Sequence, residues 1–148
     1  MAPDQPLELV FLDAEDSSSK DLVRRLALLV ESLAEQGAPV LLRVSGDKAA
    51  QFWDQQLWTF KDSAFLPHSL FQGQWPDDEP VCVACQPVPP RAGALILALC
   101  DTPLDELRLY PRIFELVRRD TPETLDQSRR RWAEWKALGI APTVRKDW

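Results

Sequence analysis

The chain's 148 residues, 45% hydrophobic and 27% charged, suit one globular domain that buries about 70% of the surface its unfolded form exposes. No apolar run approaches the roughly 20 residues of a membrane span, and the acidic opening MAPDQPLELVFLD lacks the basic region of a secretory signal, so a cytoplasmic location is expected. The net charge of −6 opposes nucleic-acid binding by the molecule as a whole, but residues 118–148 hold eight basic and five acidic side chains, a local +3 against −9 elsewhere.

In chain order, LELVFLD (7–13) reads as a buried strand. Leu22, Leu26, Leu29, Val30 and Leu33 then recur at helical spacing. Ser18 with Asp21 resembles a capping box, and Gly37 stands where a helix C-terminus expects it. PVLLRVS (39–45) is a second strand, and strand, helix and strand together predict a right-handed parallel pair. GDKAAQFWDQQLW reads as a helix capped by Asp47. The aromatic loop LWTFKDSAFLPHSL (57–70) and QGQWPDDEP lead to two β-like runs, VCVACQ and ALILALC, separated by the proline-rich PVPPRAG.

CDTPLDELRLYP is expected to be a loop with a short helix, and RIFELV (112–117) a last strand. A basic helix follows over about 122–138, with Thr121 as cap, Pro122 at its first position and Gly139 at its end, and residues 140–148 form a tail. The alternation defines the class: α/β, one three-layer domain over 1–148 with a central, mostly parallel sheet, Rossmann-like without a nucleotide-binding loop.

That layout invites a search for a ligand beyond the strand C-termini. The first strand–helix turn, DAEDSSSKD, has no glycine and puts Asp13, Glu15 and Asp16 where phosphates would have to sit. No phosphate loop, nucleophile elbow or HExxH motif occurs. The lone histidine, His68, stands between Pro67 and Ser69 with no nucleophile marked out beside it, which favours a structural or contact role. Three cysteines, Cys82, Cys85 and Cys100, argue against a disulfide framework, and CVAC without a second ligand pair reads as buried strand cysteines. No catalytic residue, cofactor or metal is therefore expected.

Two surfaces have the composition of contact sites. Trp53 and Trp58 are five residues apart and so do not share one helix face. Trp58, Phe65 and Pro67 either close over the core or form an apolar patch with an aromatic anchor, the composition of interface centres. On the last helix Leu125, Arg129, Trp132 and Lys136 fall on one continuous face, while Trp135 and Leu138 lie on a neighbouring face that is expected to pack inward. Cationic groups flanking an indole suit a carboxylate with an apolar wall beside it; the plainer alternative is a solvated charged helix.

LW followed by SAFLPHSL, with an arginine-rich C-terminal helix ending in WKALGI, resembles the chi subunit of the bacterial DNA polymerase III clamp-loader complex, and the element order agrees over nearly the full chain. The resemblance implies a non-catalytic α/β domain without bound nucleotide that bridges the clamp loader to single-stranded-DNA-binding protein by holding that protein's acidic C-terminal tail, which ends in Pro-Phe. It also implies a second partner, the psi subunit or a repair helicase. Carried over by motif, the tail surface centres on Arg129 and Trp132, with Arg130, Arg131 and Lys136 nearby. The second-partner surface comprises Trp58, Phe65, Pro67 and His68.

Where the family motif has basic residues about a turn before the arginine and just after the aromatic, this chain has Leu125 and Ala133. Arg118, Arg119 and Lys136 are the candidates to supply that charge. The expected function is thus a replication adaptor that meets nucleic acid only indirectly and no membrane. The alternatives are a small nucleotide-utilising α/β hydrolase and a direct single-stranded DNA binder.

Overall fold

The computed structural model describes residues 6, 8–15, 17–61 and 66–148; Asp16 and Phe65, singled out above, lie outside these residues. Short apolar runs form β1 (Glu8–Leu12), β2 (Val40–Arg43), β3 (His68–Leu70), β4 (Val81–Ala84), β5 (Leu95–Ala98), β6 (Arg112–Leu116) and β7 (Thr143–Arg145). Between them lie α1 (Ser19–Glu35), α2 (Asp47–Thr59), α3 (Leu104–Leu107) and α4 (Pro122–Ala137). The strands make one seven-stranded sheet in the order β3-β4-β2-β5-β6-β1-β7. Every pairing in it is parallel, not merely most of them.

Side chains alternate across the pleat, so each strand feeds two cores. Val10, Leu12, Leu42, Val83, Leu97 and Phe114 meet Leu26 and Val30 of α1 and Trp53 and Leu57 of α2 on one face. Leu9, Phe11, Leu41, Cys82, Ile96 and Ile113 meet Leu107 of α3 and Trp135 of α4 on the other. Strands covered on both faces need apolar residues at successive positions, which is why VCVA and LILA are buried throughout. Burial pushes the Cys82 thiol up to about 11. Cys85 lies just past β4 and is only half-buried, so one of the two CVAC cysteines, not both, is a strand core residue.

The structure corrects several expectations. β1 and β2 are parallel but not neighbours, because β5 and β6 lie between them. Those two strands carry the apolar residues that a position covered on both faces demands. Residues 143–145 are not tail but an edge strand, with Val10 opposite Thr143 and the Asp13 N–H donating to the Arg145 carbonyl at 2.9 Å. All three residues are exposed, so no alternation in the sequence announced them.

Asp47 does not cap α2. It is the first helical residue behind Gly46, which has no side chain to cap with, although its carboxylate still lies in the turn that the helix dipole favours. His68 is not in a loop but opens β3. Among the described residues no helix is long and apolar enough to cross a membrane.

Candidate functional site

α4 begins on a reciprocal cap. Thr121 Oγ1 accepts the Thr124 N–H at 3.1 Å, and Thr124 Oγ1 accepts the Thr121 N–H at 3.1 Å. Pro122, whose missing N–H costs nothing there, takes the first position. The other end closes by donation of the Ile140 N–H to the Trp135 carbonyl at 3.1 Å and of the Gly139 N–H to that of Lys136 at 2.9 Å. This turn needs the left-handed φ of +79° that Gly139 adopts. It carries Ile140 into the core in place of Leu138, which is 48% exposed instead of packing inward as expected.

The inner face of α4 is fixed by polar anchors. The Trp135 indole donates to Glu115 of β6 at 2.5 Å, and Arg131 donates its Nε to the same carboxylate and its Nη1 to Asp101 at 2.7 Å. Burial disfavours a charged guanidinium, but Glu115 and Asp101 more than offset this and hold Arg131 above its ordinary pKa. The Arg118 backbone N–H donates to Ser128 at 3.0 Å. Ser128, Arg131 and Trp135 therefore face the sheet, and Arg131 is bound internally, apart from the other arginines of the helix.

This rotation turns Leu125, Arg129 and Trp132 toward a cleft of about 220 Å³ whose other walls are Phe11 and Asp13 at the end of β1, Val117 and Arg119 after β6, and Val144 of β7. Trp132 meets Phe11 edge to face, with ring centroids 5.3 Å apart at 84°. The Arg119 guanidinium grips Asp13 through Nε and Nη2, both at 2.8 Å. That contact holds the Asp13 carboxyl below the usual range against the opposing effect of burial. Among the described residues Arg129 pairs with Asp126, at 3.2 Å, and both side chains are largely exposed; such a pair contributes little to stability. Arg130 is exposed on the other flank, beside Glu123 and Gln127. Lys136 is also exposed, and of Arg118, Arg119 and Lys136 only Arg119 lines the cleft.

The second predicted surface lies across the sheet. Trp58, in the last turn of α2, is 43% exposed, and its ring centroid is 4.4 Å from that of His68. His68 itself is 5% exposed. Its Nδ1 lies 2.6 Å from the Leu66 carbonyl, while Nε2 is 3.0 Å from the Asp54 carbonyl and 3.2 Å from the Asp54 carboxylate. The imidazole is thus held at both edges and backs the indole. Pro67 is half-buried beside it.

The crevice between β2 and β5, where the crossing helices change faces, is filled by side chains. Arg43 pairs with Glu106 at 2.6 Å, and Cys100 Sγ lies against the Arg43 carbonyl.

Sequence reasoning found Leu125, Arg129 and Trp132 but missed Phe11, Val117 and Val144. Alternation along β1 puts Phe11 opposite Val10, yet no local pattern says which helix will cover that face.

An all-parallel α/β domain with an arginine-rimmed aromatic cleft at one end of its sheet is the class that fold and site define. Residues 8–143 match the family model described as DNA polymerase III chi subunit, HolC. The chain belongs to that family, whose members are non-catalytic accessory subunits of DNA polymerase III. Among curated proteins none matches it.

Proposed function

We propose that this chain tethers the polymerase III clamp loader to single-stranded-DNA-binding protein by holding that protein's acidic, Phe-ended C-terminal tail in the cleft between β1 and α4. The observation that carries this reading is the meeting of an aromatic floor, Phe11 and Trp132, with two arginines, Arg119 and Arg129, in one small cavity. At about 220 Å³ it is smaller than the ~300–1,000 Å³ of ordinary small-molecule sites and suits one terminal side chain. Burial of a phenyl group contributes about 1.5–3 kcal/mol, and a charge-assisted hydrogen bond from arginine to a carboxylate about the same. Arg119 takes the place of the basic residue that Leu125 replaces.

A fluorescently labelled acidic peptide ending in Phe is expected to bind the protein, measured by anisotropy, and to weaken as salt rises because the arginines are partly exposed. The same peptide ending in Ala is expected to bind far more weakly. Absence of binding at low salt, or equal binding of the two peptides, would refute the assignment.

The exposed indole of Trp58, backed by the rigid His68, supports a second docking surface for a psi-like clamp-loader subunit or a repair helicase. Trp58→Ala should abolish co-purification with that partner and leave the melting temperature nearly unchanged, since almost half of the side chain is already in water. A variant that unfolds instead would place Trp58 in the core.

A further inference from the structure

We propose that Asp13 is a built-in competitor within the cleft: its carboxylate occupies the guanidinium fork of Arg119 that an acidic ligand would otherwise take, and so limits how tightly the tail is held. This rests on the tail-binding reading and refines it.

Asp13 is fixed from every side. Its carboxylate accepts from Arg119 Nε and Nη2 and from the Glu15 N–H at 2.9 Å. Its backbone N–H donates to Arg145 of β7, and its carbonyl accepts the Trp148 indole N–H at 3.2 Å. Trp148 is in turn stacked under the Arg25 guanidinium, 4.2 Å from it. The Asp13 side chain is 8% exposed, that of Arg119 42%. Arg119 sits in the irregular segment between β6 and α4. Of the two partners, then, the anion is the more deeply buried and the more firmly held.

The two cleft arginines consequently count unequally. Among the described residues Arg129 pairs with a solvated aspartate, whose charge water and salt screen. Arg119 faces a buried carboxylate in bidentate geometry, the strongest form of such a contact. An incoming carboxylate must share or displace that contact, and it approaches a fixed negative charge as it does so.

The test compares tail binding by wild type, Asp13→Asn, Arg129→Gln, and the double variant Asp13→Asn with Arg119→Gln, each checked for native fold by circular dichroism. Asparagine keeps an oxygen for the Glu15 N–H and removes the charge. Asp13→Asn is expected to tighten binding roughly three- to tenfold and to steepen its salt dependence. The double variant is expected to lose that gain and to fall below wild type by less than Arg129→Gln does, because the Arg119 guanidinium is already engaged by Asp13.

If a folded Asp13→Asn binds equally or more weakly, the proposal is overturned, and Asp13 instead orients Arg119 for the tail. Should Asp13→Asn fail to fold, the double variant decides alone: a smaller loss than that of Arg129→Gln supports the proposal, and an equal or larger loss makes Arg119 a full ligand contact and overturns it. A wild type that binds no tail peptide overturns the tail reading itself, a result distinct from either.

Discussion

Arg129→Glu is expected to raise the dissociation constant of an acidic, Phe-ended peptide by about 30-fold to 1,000-fold. The change removes a charge-assisted hydrogen bond and puts a like charge in its place, about 2–4 kcal/mol in all. The fold should not suffer. Arg129 is exposed, it pairs among the described residues with an equally exposed Asp126, and surface changes of that sort usually stay within about 0.5 kcal/mol. Anisotropy titration beside a thermal melt separates the two effects. Unchanged binding would remove Arg129 from the cleft's chemistry, and a lowered melting temperature would make the comparison one of stability instead.

Glu115→Ala should produce the largest loss of stability among single changes to polar residues. One carboxylate serves both the Arg131 guanidinium and the Trp135 indole, and all three groups are buried. Its removal leaves, among the described residues, a buried cation with only the exposed Asp101 for company and an indole N–H without its acceptor. Breaking a buried pair from one side typically costs about 3–5 kcal/mol, and an orphaned buried donor adds about 1–3 kcal/mol more. Urea unfolding measures the sum. A loss below about 1 kcal/mol would mean that α4 is held by apolar packing alone. Replacing Glu115 and Arg131 together by apolar residues of similar volume should be far milder than either change alone.

Those anchors mark the boundary of what the sequence disclosed. The class of the fold, most strand and helix positions, and both ends of α4 could be read from apolar runs, cap residues and glycines, because these signals are local. SRRRWAEW shows three consecutive arginines and two tryptophans without distinguishing which of them meet solvent. The answer depends on Glu115, an acid inside a strand otherwise read as apolar, and that acid is what draws Arg131 and Trp135 inward. β7 was invisible for a different reason. Three exposed residues have no alternation to show, and their pairing with β1 is a long-range event. His68 likewise drew notice as the only histidine, yet its place follows from Asp54 and Leu66, whose carbonyls its ring nitrogens face.

The pairing of β1 with β6 and β7 has a kinetic consequence. The cleft takes Phe11 and Asp13 from one end of the chain, Val117 to Trp132 from a region more than a hundred residues later, and Val144 from beyond that. Contacts so distant in sequence are slow to form, because a long loop must close before they contribute anything. During synthesis β1 must wait for β6 and then β7 to emerge. Its apolar edges stay unpaired meanwhile, a state in which strand residues such as Leu9, Val10 and Phe11 are open to other chains. The cleft is therefore completed only late in synthesis, after the sheet has closed around β1.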